Sequence, residues 1–485
     1  MSETYRIYPA PLSGAVEIPA SRSVLQRAVL AAALGGGASY LEGNLLLDRE
    51  VTALLEGAGS LGAVWRRTES GLEIIGMRRG EDKGRWAEKF STQSWRLRTP
   101  EQLAEREAPG SGGTAGQLSP GFYIPGGKRG DLPVIDCRDA ASVFPLLLPL
   151  ALVRRGGGCF TGLTSGESAS EDYREILHHQ EIAWLPAQDN TERKPAAGLS
   201  GLTVAGRLKA GVFTFPGDTD PLLPTGFLFA LPFLKEDSTL LLEQPLAGAD
   251  ELDLGIRLIG DFGAEVSRQK ERQAAVPGRQ RLQSRYYQVE GSYRQAAFYL
   301  TAGALGQDVE VKGLAARSLQ RQRRIFDFLE TLGCRLVQGA RGGVKMEPAA
   351  GGPGGFPFLD CGAAPSLIPL LTLAAALTPG ERVMMSPKDC PEAENRRIQA
   401  AVDVLAGLGA EINRREKDIW VRGREALAGG NTADSRGSGR LAMLIAIAAG
   451  ACRQPVTLTG AEAAERSWPG FWEEYRRLGG RLEKC

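Results

Sequence analysis

One pattern recurs six times along this chain and narrows the folds open to it. It is a short strand, a turn of small residues, a helix apolar on nearly every side, a Gly-rich or charged turn, and a second strand. The copies begin at Gly14 (GAVEIPASRSVLQRAVLAAALGGGASYLEG), Pro133 (PVIDCRDAASVFPLLLPLALVRRGGGCFTG), Val212 (VFTFPGDTDPLLPTGFLFALPFLKEDSTLLLE), Tyr286 (YYQVEGSYRQAAFYLTAGALGQDVEVKG), Phe356 (FPFLDCGAAPSLIPLLTLAAALTPGERVMM) and Ala433 (ADSRGSGRLAMLIAIAAGACRQPVTLTG). Each is followed by a second helix with apolar residues three and four positions apart, as in RRIFDFLETLGCRLV and RRIQAAVDVLAGLGAEI, which marks one buried face. A helix apolar all round must be covered on most sides. Six of them cannot share one small core, and 485 residues at about 100–200 per domain leave room for several. The pattern therefore predicts an α/β protein of two domains, each built from three strand-helix-strand-helix units around buried helices.

Composition removes several classes of function. Lys and Arg number 58 against 57 Asp and Glu, so the chain lacks the strong positive balance of a general nucleic-acid binder. The 7 cysteines include no C-x-x-C pair, and the only 2 histidines are His178 and His179, which argues against a zinc site. Buried, reduced thiols in a reducing compartment are expected instead. The start MSETYRIYPAPLSG has no basic segment leading into an apolar core, and the longest apolar stretches, 144–153 and 222–234, are too short to span a bilayer. The expectation is a cytoplasmic protein without membrane or nucleic-acid partners. Residues 80–132 are polar, then rich in Gly and Pro, and read as a long, partly disordered insertion between the first two units, with WAEKFS and TPEQLAERE as short helices.

The repeat also locates the chemistry. A helix N-terminus presents free backbone N–H groups and the positive end of its dipole, and so favours an anion. Three buried helices per domain would supply six such ends, and two facing domains would turn them toward a cleft suited to phosphate or carboxylate. Basic residues stand near these turns: Arg22, Arg27 and Arg440, with Arg397 on the helix after the fifth unit and Arg466 before the last helix.

These positions carry a family resemblance. PASRSVLQR, residues 19–27, resembles the EPSP synthase (3-phosphoshikimate 1-carboxyvinyltransferase) signature P-x-S-K-S-x-x-x-R, with Arg22 at the Lys and with Ser23 and Arg27 kept. RLAM at 440–443 resembles the D-H-R-x-A-M segment, keeping Arg440 with Ser438 and Gly439 before it. Arg466 takes the Lys of K-S-x-P-x-F. FPFLDCGAAPSLIP keeps Asp360 and has Ser366 at a second Asp, and PEAENRR keeps Glu394 and Arg397 with Ala393 at a Lys. The resemblance spans nearly the whole chain outside the insertion. It implies an enolpyruvyl transferase-like fold with residues 19–285 as the first domain, and with 1–18 crossing over to complete a second domain of 286–485. It implies transfer of the enolpyruvyl group of phosphoenolpyruvate to shikimate 3-phosphate in the route to chorismate, without metal or cofactor, by a monomer acting on small anions. Asp360, Glu394 and Arg22 stand at its catalytic positions, and Ser23, Arg27, Arg397, Arg440 and Arg466 at its substrate-binding positions.

The departures gather on the shikimate-phosphate side. The family's Ser-Ser-Gln falls on Asp220, Pro221 and Leu222, and its next Ser and Tyr fall on Gly248 and Glu251. A Gly-Thr turn with a following Arg becomes Ala141, Ser142 and Pro145, and two further Arg become Ser165 and Ala169. Hydrogen bonds to a charged group contribute roughly 1.5–3 kcal/mol each, so several such losses predict that shikimate 3-phosphate does not bind here in the ordinary way. Three readings stay open: the family reaction, enolpyruvyl transfer to another acceptor, and a catalytically inactive paralogue that binds ligand on the same scaffold.

Overall fold

The computed structural model describes residues 3–77, 132–164, 171–186, 199–217, 219–243, 249–270, 272–348, 356–378, 382–388 and 390–485. The insertion lies outside them, apart from its last residue, as do Ser165, Ala169 and Gly248. The chain divides into two compact units, a first formed by Arg22–Val289 and a second formed by Met1–Ser21 with Glu290–Cys485.

The first unit contains helices α1 (Arg22–Leu34), α2 (Arg49–Ser60), α3 (Val143–Arg155), α4 (Glu171–His178), α5 (Leu222–Ala230) and α6 (Ala249–Asp261). From Val24 to Leu34, α1 is buried without a break, and so are Val143–Leu152 of α3 and Leu223–Ala230 of α5. This is the covering that all-round apolar helices demand, at roughly 1.5–3 kcal/mol per fully buried large side chain. The α3–α5 crossing is close because of Gly226: a Cβ there would overlap the Pro145 carbonyl oxygen. Asp48 caps α2 by accepting a hydrogen bond from Val51 N at 3.0 Å.

The second unit contains α7 (Tyr293–Ala304), α8 (Ile325–Thr331), α9 (Ile368–Ala376), α10 (Glu392–Gly407), α11 (Gly439–Gly450), α12 (Ala463–Ser467) and α13 (Phe471–Arg477). Here α7, α9 and α11 are the buried helices and pack on one another. Amphipathic α10 lies against α9 and α11 and buries Ile398, Ala401, Val402 and Leu405.

Among the described residues, six four-stranded sheets cover these helices, and all share one order of pairing. In the sheet of Val134–Asp136, the lead strand runs parallel to Gly157–Thr164, which pairs antiparallel with Leu199–Ala205, which pairs antiparallel with Ala183–Pro186. The lead strand of the α1 sheet is not the one before α1 in sequence. Ser13–Glu17 pairs with Asp308–Lys312 in the second unit, whereas Tyr286–Gln288 pairs with Ala38–Glu42 in the first. The N-terminal strand Thr4–Tyr8 sits between Val456–Thr459 and Arg481–Lys484. Two of the sequence copies, those beginning at Gly14 and Tyr286, thus place their strand in one unit and their helix in the other. Residue periodicity reports which side of a strand is covered and carries no information on which distant strand it pairs with.

The cysteines are all free, and Cys137, Cys361 and Cys452 are buried, whereas Cys159, Cys334 and Cys390 are half-buried and Cys485 is exposed. The expectation of buried thiols thus holds for three of them. Among the described residues no helix is long and apolar enough to cross a membrane, and no group of three His, Cys, Asp or Glu is arranged to hold a metal ion.

Candidate functional site

In the second unit the ends of α7, α9, α10 and α11 surround a cavity of about 400 Å³. Among the described residues its charged lining sets Arg294, Arg396, Arg397, Arg436 and Arg440 against one carboxylate, Glu394. Phe298, Leu367, Leu370 and Leu444 supply apolar wall. Glu394 lies in the first turn of α10 and is only 14% exposed. It meets Arg397 at 2.9 Å, three residues along the same helix, and Arg440 at 3.5 Å. Arg440 is the second residue of α11, whose first turn is capped by Ser438 accepting from Leu441 N at 3.4 Å. Burial pulls the Arg440 guanidinium below its usual value. Glu394 opposes that pull, and the positive charges of Arg294 and Arg397 add to it. Several guanidinium groups crowded into a half-buried pocket around one carboxylate make a receptor for a multiply charged anion.

Arg466 is not among the lining residues; its Nη2 donates to Gly437 O at 2.9 Å and so fastens the turn that carries Arg436 and Ser438. Asp360 closes its own turn by accepting from Gly362 N at 3.1 Å and pairs with Lys388. Lys388 first, then the backbone N–H of Gly362, hold the Asp360 carboxyl below its ordinary value against an opposing effect of burial. The neighbouring Cys361 thiol is pushed up to about 12 by burial and by Asp360, so it stays protonated and is a poor nucleophile at neutral pH.

In the first unit the corresponding residues meet carboxylates of the protein. Arg22, 45% exposed, reaches Asp48 at 2.5 Å and Glu50 at 3.6 Å. Arg27 is fully buried. It donates to Ser23 O (3.0 Å), Thr225 Oγ1 (3.3 Å) and Glu251 O (3.0 Å), and pairs with the Glu251 carboxylate at 2.9 Å. Burial lowers its affinity for the proton, and Glu251 works the other way. Ser23 donates to Glu251 Oε1 at 3.5 Å. Gln26 donates to Ser142 Oγ at 2.7 Å, and Ser142 donates to Glu50 at 2.8 Å. Asp220 turns inward on its own loop and accepts from Leu222 N at 2.9 Å.

The structure therefore brings Glu394, Arg397 and Arg440 together around a cavity, and groups Arg22, Ser23 and Arg27 at the start of α1. The sequence reading missed Arg294, Arg396 and Arg436. Arg294 lies in the first turn of α7, the place where the repeat sets an anion-favouring helix end, and that rule could have found it.

The fold is that of solved enolpyruvyl transferases. EPSP synthase from Acinetobacter baumannii superposes with a TM-score of 0.74 at 17% identity, over 100% of each chain. The enolpyruvyl transferase NikO from Streptomyces tendae gives 0.64 at 17% identity over 100% of this chain and 99% of its own. In sequence the chain is 29% identical to the 3-phosphoshikimate 1-carboxyvinyltransferase of Clostridioides difficile (strain 630) over 480 residues, 99% of this chain and 98% of that protein. Residues 196–475, more than half of the chain, match the family model for EPSP synthase (3-phosphoshikimate 1-carboxyvinyltransferase), and the chain belongs to that family.

Proposed function

We propose that this protein transfers the enolpyruvyl group of phosphoenolpyruvate to a hydroxyl of shikimate 3-phosphate, releasing inorganic phosphate. The observation that carries this reading is the arginine-lined cavity around Glu394, which holds Arg397 and Arg440 from the family's substrate-binding positions, in a chain that matches its curated relatives over almost all its length. Arg397 and Arg440 hold the donor. Asp360 takes the proton of the acceptor hydroxyl as that oxygen bonds to C2 of the donor. Glu394 delivers a proton to C3, which becomes a methyl group. In the second step a proton leaves C3, the C2–O bond to phosphate breaks, and the double bond returns. Each proton transfer of this kind contributes typically 10²–10⁴-fold. Arg22 acts through fixed charge, since a guanidinium does not give up its proton in this pH range. The same reading places the protein in the cytoplasm as a monomer acting on small anions.

A second reading, a different acceptor, is favoured by one observation. Arg27 is already engaged by Glu251, and the first unit offers a phosphate carboxylates where the family offers hydroxyl groups. Phosphate release from phosphoenolpyruvate separates the two. Turnover with shikimate 3-phosphate that vanishes in Asp360→Ala supports the family reaction. Binding of phosphoenolpyruvate without turnover supports another acceptor, and absence of both sinks the enzyme reading.

A further inference from the structure

The resemblance puts an arginine after a Gly-Thr turn in the second repeat, and in this chain that segment carries Ala141, Ser142 and Pro145. The Ser142 hydroxyl is committed to Glu50 at 2.8 Å, and Arg138 on the same turn pairs with Glu56. The second unit shows the reverse. Besides Arg396, which pairs with Glu392, its cavity holds two guanidinium groups, Arg294 and Arg436, that lie outside the family motifs. They stand on different elements: Arg294 in the first turn of α7, and Arg436 on the turn that leads into α11. Both side chains reach the same cavity as Arg397 and Arg440. Glu394 is shared between Arg397, at 2.9 Å, and Arg440, at 3.5 Å. Arg436 meets Asp403 at 3.3 Å through a pair about half exposed on both sides, which is weak and easily exchanged for a ligand. The charge of Arg294 is felt at Arg440, in the same direction as that of Arg397. Each guanidinium is a planar fork matched to two oxygens of a carboxylate or phosphate.

We propose that both anionic groups of the donor are held by the second unit, one by Arg397 with Arg440 and the other by Arg294 with Arg436. The proposal rests on the reading of the donor as a three-carbon enol phosphate bearing a carboxylate. Its consequence is a donor site that is complete without the acceptor.

The test is calorimetric titration of the full-length protein with phosphoenolpyruvate alone, beside turnover with shikimate 3-phosphate. Wild type binds without acceptor. Arg294→Gln and Arg436→Gln each weaken binding roughly tenfold or more, and Arg294→Lys recovers part of the loss because it restores charge without the fork. Both residues are exposed, so the substitutions leave the fold intact, which urea unfolding checks. Arg335→Gln, at a surface pair with Glu347 outside the cavity lining, serves as the silent control. Unchanged affinity in both Gln variants, with affinity lost in Arg440→Gln, overturns the proposal and leaves the donor reading standing. Binding by wild type only when shikimate 3-phosphate is present overturns it too, with the transfer reaction intact. Neither binding nor turnover by wild type overturns both.

Discussion

The start of α1 in the first unit and the cavity of the second unit face the same electrostatic problem with opposite outcomes. Both gather arginines where buried helices begin. In the first unit Asp48, Glu50 and Glu251 meet Arg22 and Arg27, so the protein fills its own anion sites. In the second unit five arginines line a cavity whose lining, among the described residues, holds one carboxylate, Glu394, while Arg396 and Arg436 meet Glu392 and Asp403 outside that lining. A helix end and a nearby arginine are thus insufficient to define a ligand site. What decides is how firmly the chain's own carboxylates hold those arginines. The pairs of Arg396 and Arg436 are largely exposed and weak, whereas Arg27 is fully buried against Glu251.

The sharpest way to break this comparison uses a pair of aspartates at matching places in the two units. Asp136 and Asp360 each end the lead strand of a sheet, and each accepts from the backbone N–H two residues on, at 3.0 and 3.1 Å. Asp434 does the same for Arg436 at 2.8 Å. The turn is therefore a property of the repeat, and the backbone contact alone does not make Asp360 catalytic. Asp360→Asn is expected to lower turnover on the order of 10²–10⁴-fold, the range of a lost proton-transfer group, while Asp136→Asn stays within about twofold of wild type. Both keep nearly the wild-type urea midpoint, because Asn still accepts the turn hydrogen bond. Equal loss in the two variants would show that the repeat turn matters and that Asp360 has no chemical role of its own.

Much of this architecture was legible in the sequence because burial leaves a periodic trace. The runs VLQRAVLAAAL and GRLAMLIAIAAG declare helices covered on all sides, and they are so covered. The repeat marks the strands before α1 and α7 as strands and groups each with the helix that follows it; the crossing of residues 1–18 to the second domain comes from the resemblance, and the pairing of Tyr286–Gln288 with Ala38–Glu42, which joins residues more than 240 apart, from neither. The site was legible only in part. Glu394, Arg397 and Arg440 sit on motifs, and their meeting follows from α10 packing on α11. Whether Arg27 faces a ligand or Glu251 depends on a residue 224 positions away, and no local pattern encodes that.

The next effect in size concerns that pair. Arg27 is fully buried and Glu251 is 31% exposed, so Glu251→Ala strands a charged guanidinium in the core. The expected cost is about 3 kcal/mol in unfolding free energy, at the low end for a broken buried pair. Glu394→Ala in the second unit removes the partner of Arg397, 56% exposed, and Arg440, 27% exposed, which can turn toward water. Its cost is expected to be under about 1 kcal/mol. Chemical denaturation of the two variants compares the units directly. Equal losses would mean that the cavity arginines are as dependent on their carboxylate as Arg27 is, and the contrast between the units would fail.

The smallest effect is the pH dependence of the Asp360–Lys388 pair. The folded state holds the Asp360 carboxyl below its ordinary value of 3.8, chiefly through Lys388. A depressed carboxyl binds its proton more weakly in the folded chain than in the unfolded one, so the pair contributes stability above the unfolded value and loses it as pH falls through the folded one. With both side chains about half exposed, 57% and 47%, the contribution is well under about 1 kcal/mol. The difference in urea midpoint between wild type and Asp360→Asn should be flat from about pH 7 to pH 5 and close as the pH is lowered further. A gap that widens on acidification would mean that the carboxyl is raised rather than lowered. Because the lowered group is already ionised near neutrality, it is ready to accept the acceptor's proton throughout that range. Any acid limb of turnover between pH 5 and 8 must then come from another group, and Asp136, at the matching turn of the first unit, gives the substitution that should leave that limb where it was.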